Sequence, residues 1–308
     1  MNKSIKPADI MLQQDGSIYH IGLKPEDLAD TVICVGNPER VEIISQYFDE
    51  IELRRQHREF VSHTGWLEKK RLTVISTGIG TDNIDIVLNE LDALVNIDLK
   101  ERVVKPAHKT LNIIRLGTSG GLNADIPVDS FIISRYAIGM DLLLNFYEFL
   151  PTDEEIDGLS AFLEAIPRAR ELCKPYFVRS CEQLYNHLKS GFLEGITISA
   201  AGFFAPQGRL LRAGSSFPNL LDNLRSFSFH GERILNLEME ASALYGLGEM
   251  LGHHCCTIAV LVANRATGDV SKNPTKSMHQ LIESTLPKIL TIPESLSKLQ
   301  HDQVCLAV

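Results

Sequence analysis

The sequence predicts an α/β fold built on a largely parallel or mixed sheet. Short apolar runs bounded by turn residues alternate with segments whose apolar residues recur at helical spacing. The runs ending near residues 36, 77, 117, 202, 238 and 263 all finish in glycine, arginine or glutamate. At 308 residues, 44% hydrophobic and 22% charged, the chain can bury a sizeable core. The shared polarity of the strand ends points to one composite site of several arginines, paired glutamates and an amide. Open α/β sheets place ligands at the carboxyl ends of strands.

The net charge of −9 has no lysine-arginine block to offset it, which argues against a nucleic-acid partner. An anionic ligand must meet a local cluster of arginines. Cysteines 34, 173, 181, 255, 256 and 305 form no C-x-x-C pattern and read as reduced residues of a cytoplasmic protein. No His/Cys spacing fits a metal ligand set. No signal-peptide core or membrane span is expected.

The elements follow in order. Ile18–Leu23 is the first ordered feature, after an N-terminal extension over 1–17. Thr31–Val35 is a short strand that ends in G-N-P-E-R at Gly36–Arg40, with an amphipathic helix to about Phe48. Proline at a helix start, with N–H groups free to meet an anion, puts Arg40 on a helix's first turn. The same residues also describe an ordinary loop with a surface arginine. Glu52–Val61 is polar and β-like, Gly65–Arg71 is a hairpin turn, and Leu72–Thr77 is a strand closing in Gly78-Ile79-Gly80. A helix over 82–96 follows, with apolar residues at 84, 87, 88, 91, 94 and 95. Residues 98–110 are charged, broken by proline and read as a surface insertion.

Leu111–Leu116 is apolar enough for a buried strand yet carries Arg115. It is expected to break into a turn at Gly117-Thr118-Ser119-Gly120-Gly121. A guanidinium in a buried strand is costly unless an anion meets it. The pattern fits either an anion cradle or a core arginine paired to an acidic neighbour. Val128–Ala137 is another strand. Residues 139–180 give no clear pattern. Arg179–Ser190 reads as a helix and Gly195–Ala201 as a strand, followed by G-F-F-A-P-Q-G-R at Gly202–Arg209. Pro218–Phe227 is a short helix. Ile234–Glu238 is a strand leading into Met239, Glu240 and a helix to about Leu251. Period two puts Glu238 and Glu240 on one face, while a helix N-terminus would also favour Glu240. Cys255–Ala263, the most apolar run, is a central strand ending in Asn264-Arg265. Ser277–Leu290 is a closing helix, and 296–308 a tail.

Several motifs, in order, resemble the uridine phosphorylase branch of the nucleoside phosphorylases. They are H-x-G-L at His20–Leu23, G-x-P-x-R at Gly36–Arg40, H-R-E-F at His57–Phe60 and S-T-G-I-G at Ser76–Gly80. R-x-G-T-S-G-G at Arg115–Gly121, Q-G-R at Gln207–Arg209, E-M-E-A at Glu238–Ala241 and N-R at Asn264-Arg265 complete the set. The resemblance implies a single domain over 18–295 with a central mixed, partly barrel-like sheet flanked by helices. It implies phosphorolysis of a pyrimidine nucleoside, uridine first, to free base and ribose 1-phosphate. Phosphate would be held by Gly36, Arg40, Arg115 and Thr118, with Arg58 from a neighbouring subunit. His20 of that subunit would touch the ribose 5′-hydroxyl, and Met239 and Glu240 would hold the ribose. Gln207 and Arg209 would read the base, Phe203 would pack on it, and Glu238 and Arg265 would support the pocket. The implied assembly is a homo-oligomer of dimers that share active sites. No cofactor is implied, since phosphate is a co-substrate. A monovalent cation near Glu59 at the subunit contact is where the match breaks, because Asn83 replaces a serine. Pro206 stands where the family usually has glycine.

Two alternatives belong to the same superfamily. A purine nucleoside phosphorylase would carry an aspartate in the segment after Ala263, where Asn264 and Arg265 stand. A nucleosidase, which uses water, would lack Arg40, Arg58 and Arg115. Outside it, a dinucleotide-dependent oxidoreductase needs a G-x-G-x-x-G that neither Gly78–Gly80 nor 117–121 completes. A nucleoside-binding protein without catalysis would show no phosphate-dependent turnover.

Overall fold

Thr31–Val35 (β1) is buried along its whole length, the mark of a strand covered on both faces. In the computed structural model, which describes residues 4–293 and 296, it lies inside a mixed sheet. Most of the tail expected over 296–308 lies outside the described residues. The first half continues with α1 (Pro38–Ser45), β2 (Glu50–His57), β3 (Phe60–Leu67), β4 (Lys70–Ser76) and α2 (Thr81–Asn96). A two-stranded ribbon of β5 (Ile97–Asp98) and β6 (Val103–Val104) occupies the 98–110 segment. Then come β7 (Asn112–Gly121), β8 (Phe131–Met140), α3 (Asp153–Ala165), α4 (Ala169–Leu172) and β9 (Tyr176–Arg179). The chain closes with α5 (Glu182–Leu188), β10 (Leu193–Ala200), α6 (Leu220–Ser226), β11 (Ser228–Phe229), β12 (Glu232–Glu238), α7 (Ala241–Met250), β13 (His254–Asn264) and α8 (Pro274–Leu290).

The sheet runs β11-β12-β10-β8-β13-β7-β1-β4-β3-β2, with β9 beside β8. A further pairing of β12 with β7 closes β7, β12, β10, β8 and β13 into a ring. The expected partly barrel-like sheet is therefore present. Each strand of the ring is thereby paired on both sides, while β2 and β11 remain the outer strands of the sheet. All of the apolar positions anticipated on α2 face the core: Ile84, Val87, Leu88, Leu91, Leu94 and Val95 are buried. Each such side chain withdrawn from water stabilises the fold by about 1.5–3 kcal/mol.

Several boundaries differ from expectation. The glycine run 117–121 is not a turn. It stays in β7, because β13 pairs with it in parallel as far as Asn264↔Gly121 and β12 pairs from the other side at Leu237↔Gly120. Arg115 is thus mid-strand, opposite Cys34 on one side and Thr257 on the other. Gly65 lies within β3, held against Ile51, so the hairpin turn is confined to Glu68-Lys69. The strand anticipated at 128–137 runs later, from Phe131 to Met140. Arg179 ends a strand and the helix starts at Glu182, because Tyr176–Arg179 pairs with β8. Residues 139–180, unread in the sequence, hold α3, capped reciprocally by Thr152 and Glu155. Residues 4–17 pack on the 98–110 ribbon: Ile5 N–H donates to Arg102 O, the Arg102 guanidinium donates to Ile10 O, and Ile10 is buried.

Candidate active site

β1 delivers the first group. Asn37 caps α1, its Oδ1 accepting from Glu39 N–H at 3.1 Å, with Pro38 fixing the first turn. Gly36 passes close to Gly78 O, where an added Cβ would sit at 3.4 Å. The turn aims Arg40 inward, and its Nη1 donates to Leu116 O at 3.1 Å. Burial, and then the neighbouring Arg115, push the Arg40 pKa down to about 10.

Arg115 is 3% exposed. Its Nη2 donates to Glu240, and its Nη1 lies 3.5 Å from Glu238. Nε and Nη1 have no hydrogen-bond partner. The core pairing left open in the sequence is thus present in part, and two buried donors remain unsatisfied. Gly117 leaves room for the guanidinium: a Cβ there would meet Arg115 Nη1 at 2.0 Å. Thr118, half-buried, lies further along β7 opposite Val260.

Glu238 and Glu240 both meet Arg115, although Glu240 stands beyond β12 at the N-cap of α7, outside any strand alternation. Glu238 ends β12 and takes N–H bonds from Glu240 and Ala241, both at 2.9 Å, so it caps α7. Ser199 Oγ donates to Glu238 Oε1 at 2.6 Å. Burial raises the Glu238 pKa, and Arg115 works against it. Glu240 is buried, and its Oε1 accepts from Gly80 N–H at 2.8 Å. Gly80 stands before α2 with φ 99°, a conformation glycine reaches without strain. Met239 lies half-buried between the glutamates.

A second group adjoins across Gly120, where an added Cβ would lie 3.4 Å from Arg209 Nη2 and 4.0 Å from Arg265. Arg209 Nη1 donates to Gln207 Oε1 at 2.6 Å and to Phe203 O at 2.8 Å, and its guanidinium stands 3.7 Å from the Phe203 ring centre. Burial, with Arg265 nearby, lowers the Arg209 pKa to about 10. Gln207 is buried on a single 3-10 turn, Ala205–Gln207, that contains Pro206. Phe203 is 52% exposed. Arg265 donates to Gly208 O at 3.1 Å and so ties this loop to the end of β13. Asn264 is fully occupied: its amide donates to Asn123 O and Ile126 O, and its oxygen accepts from Ala266 and Thr267 N–H.

His20 and Arg58 are placed together in a third group. Arg58, at φ 54° in the β2–β3 turn, donates to Tyr19 OH at 3.0 Å and lies over its ring. Tyr19 contacts the His20 ring edge-on. Sequence reasoning gave no role to Gly80 or Ser199, because their bonds to the glutamates join residues far apart in the chain.

Asp92, His108 and His253 could bring ligand atoms within 4.8 Å of one another. Leu111 N–H, however, donates to His253 Nδ1, so the neutral ring carries its proton on Nε2, 3.2 Å from Asp92. That nitrogen offers no lone pair to a metal.

The sequence pattern of the Phosphorylase superfamily matches residues 30–291. The chain belongs to that superfamily. It is 31% identical over 283 residues to a uridine phosphorylase of Thermococcus kodakarensis, covering 90% of this chain and 88% of the relative. It is 27% identical over 252 residues to a DeoD-type purine nucleoside phosphorylase of Listeria monocytogenes, covering 81% and 88%. Among solved structures it resembles a Trypanosoma brucei nucleoside phosphorylase described as showing uridine phosphorylase activity. That match has a TM-score of 0.80 and 29% identity, over 92% of this chain and 100% of the other. The end of β1 lies opposite Leu116 in the middle of β7, beside Arg115, where Glu238 and Glu240 also stand.

Proposed function

We propose that the chain cleaves uridine with phosphate, giving uracil and ribose 1-phosphate. The observation that carries this is Arg115: buried, beside Arg40, with Nε and Nη1 both lacking a hydrogen-bond partner. Burial of an unsatisfied charged donor is tolerated where a ligand completes it.

Phosphate is bound by Arg40, Arg115, Thr118 and the Gly36 turn, with Arg58 reaching in from a neighbouring subunit. Glu240 accepts from the ribose hydroxyls, Met239 packs on the sugar, and the neighbour's His20 meets the 5′-hydroxyl. Arg209 and Gln207 face the uracil edge, Phe203 covers the base, and Glu238 and Arg265 support the pocket. As the C1′–N1 bond breaks, its electron pair leaves with uracil and positive charge develops on the ribose. Arg209 and Gln207 stabilise the first charge, and phosphate stabilises the second before its oxygen bonds C1′. Holding both partners together supplies the proximity term. No covalent nucleophile is needed.

Asn264 argues against the purine reading, because its amide is spent on the backbone and the next carboxylate, Asp269, is exposed and bonded to Thr267. The proposal includes a homo-oligomer whose dimers share sites. A cytoplasmic setting is supported by the free thiols of Cys34, Cys173, Cys181, Cys255 and Cys256. Among the described residues, no helix is long and apolar enough to cross a membrane. The test is a panel of uridine, thymidine and inosine, with and without phosphate, read as released base. Uridine turnover that needs phosphate is expected. Equal rates without phosphate would indicate a nucleosidase, and a preference for inosine would reject the pyrimidine assignment.

A further inference from the structure

The geometry points to Glu90 as a positioning residue that fixes the tautomer and orientation of His20. This rests on the reaction proposed above, in which His20 meets the ribose of the neighbouring subunit. Glu90 lies on α2 and its side chain is 13% exposed. Its carboxylate gathers three N–H groups from the loop before β1. Oε1 lies 2.6 Å from His20 Nδ1, Oε2 accepts from Ile21 N–H at 2.9 Å, and His20 N–H stands 3.1 Å from both oxygens. An ionised carboxylate only accepts, so the proton of the imidazole must sit on Nδ1. From the other side, His57 Nδ1 donates to His20 O at 2.9 Å. Residue 20 is therefore held through its N–H, its carbonyl and its ring.

The consequence is chemical. With Nδ1 committed, the neutral ring keeps its lone pair on Nε2, and the His20 side chain is 25% exposed. A carboxylate behind an imidazole also makes the far nitrogen a stronger acceptor. Nε2 is then matched to a hydroxyl donor such as the ribose 5′-OH. The same helix touches the chain's own site at its N-terminus, where the N–H of its cap residue Gly80 meets Glu240. The two anchor points are about 15 Å apart along the helix axis. α2 thus holds both a group of its own site and the histidine lent to the neighbour.

The experiment compares kcat/KM for uridine and for 5′-deoxyuridine in the wild type, Glu90→Ala, His20→Ala and the double variant. Each single change should cost about 3- to 10-fold with uridine, the size of one hydrogen bond. Each should stay within about twofold with 5′-deoxyuridine, and the double variant should be no worse than either single, as for residues acting as one unit. Equal losses on both substrates, no loss with uridine, or an additive double variant would each overturn the proposal. A second measurement does not depend on turnover. In protein carrying ¹⁵N-labelled histidine, with His20 assigned by its loss in His20→Ala, the ring should be the Nδ1–H tautomer. In Glu90→Gln the Ile21 and His20 N–H groups hold the amide oxygen, so its NH2 faces that nitrogen and should move the proton to Nε2. An unchanged tautomer would refute the role of Glu90. If the wild type leaves uridine intact in phosphate, the proposed reaction fails, and the tautomer still decides whether Glu90 sets His20.

Discussion

Gly117→Ala tests whether the Arg115 guanidinium is the centre of the phosphate site. The glycine sits within β7, opposite Ala259 of β13, and its backbone is not in the left-handed region, so alanine adds only a contact. That contact is severe: the new Cβ would lie 2.0 Å from Arg115 Nη1 and 3.0 Å from Cζ, where ordinary contact begins near 3.4 Å. The atoms in the way are the end of a side chain, so the guanidinium moves and the strand stays. Arg115 then loses its alignment on Glu240 and with it the aim of Nε and Nη1. A hydrogen bond to a charged group is worth about 1.5–3 kcal/mol. At 1.4 kcal/mol per factor of ten, the KM for phosphate should rise about 10- to 100-fold. Initial rates of uridine cleavage across phosphate concentrations measure this, beside a thermal melt that should fall by a few degrees only. A phosphate KM within twofold of wild type would refute the reasoning. So would equal rises in the KM of phosphate and of uridine, which would mean that the whole site had collapsed.

Arg209→Leu should lower uridine kcat/KM about 100- to 1,000-fold, as loss of one donor aimed at developing charge does, with phosphate binding little changed. Near-normal uridine kinetics would make Arg209 structural. Arg58→Ala and Arg115→Ala should each be nearly inactive, yet random mixing on a two-fold dimer should restore roughly a quarter of wild-type activity. No recovery despite subunit exchange would confine Arg58 to its own chain. Asn264→Asp strips the donors from Asn123 O and Ile126 O, and should cost about 2–4 kcal/mol in urea unfolding without creating inosine cleavage. An unchanged midpoint would mean that the amide does not hold this turn. Burial, with His253 beside it, holds the His254 pKa below the ordinary histidine range, and Nδ1 meets Asn112 Oδ1 at 3.1 Å. A depressed folded pKa contributes stability above the unfolded value, near 6.5, and loses it as pH falls through the folded one. His254→Gln should therefore flatten the fall in urea midpoint between pH 7 and pH 5. An unchanged slope would show that His254 is not the responsible group.

Much of this protein is legible in one dimension. Local periodicity located α2 because a surface helix must turn one apolar face inward every 3.6 residues. The buried strands at 31–35 and 254–264 stood out because a strand covered on both faces has no polar alternation to show. The motifs of the candidate site stood out because an arginine or a glutamate within or beside a core strand is costly without a partner. Residues 139–180 were not legible. Their strand β9 exists only through pairing with β8, and their helix α3 rests on a cap and on burial supplied by distant residues. The glycine run after Arg115 looked like a turn by composition and proved to be strand, because β12 and β13 provide backbone partners that no local signal announces. The sequence by itself determined which residue types could meet an anion, a sugar and a base. Only the tertiary structure decided that Arg115 is shared with Glu240, that Gly80 orients that glutamate, and that Glu90 holds His20. Each of these is a hydrogen bond between groups far apart in the chain, and such a bond is set by the closure of the sheet and the seat of α2 against it.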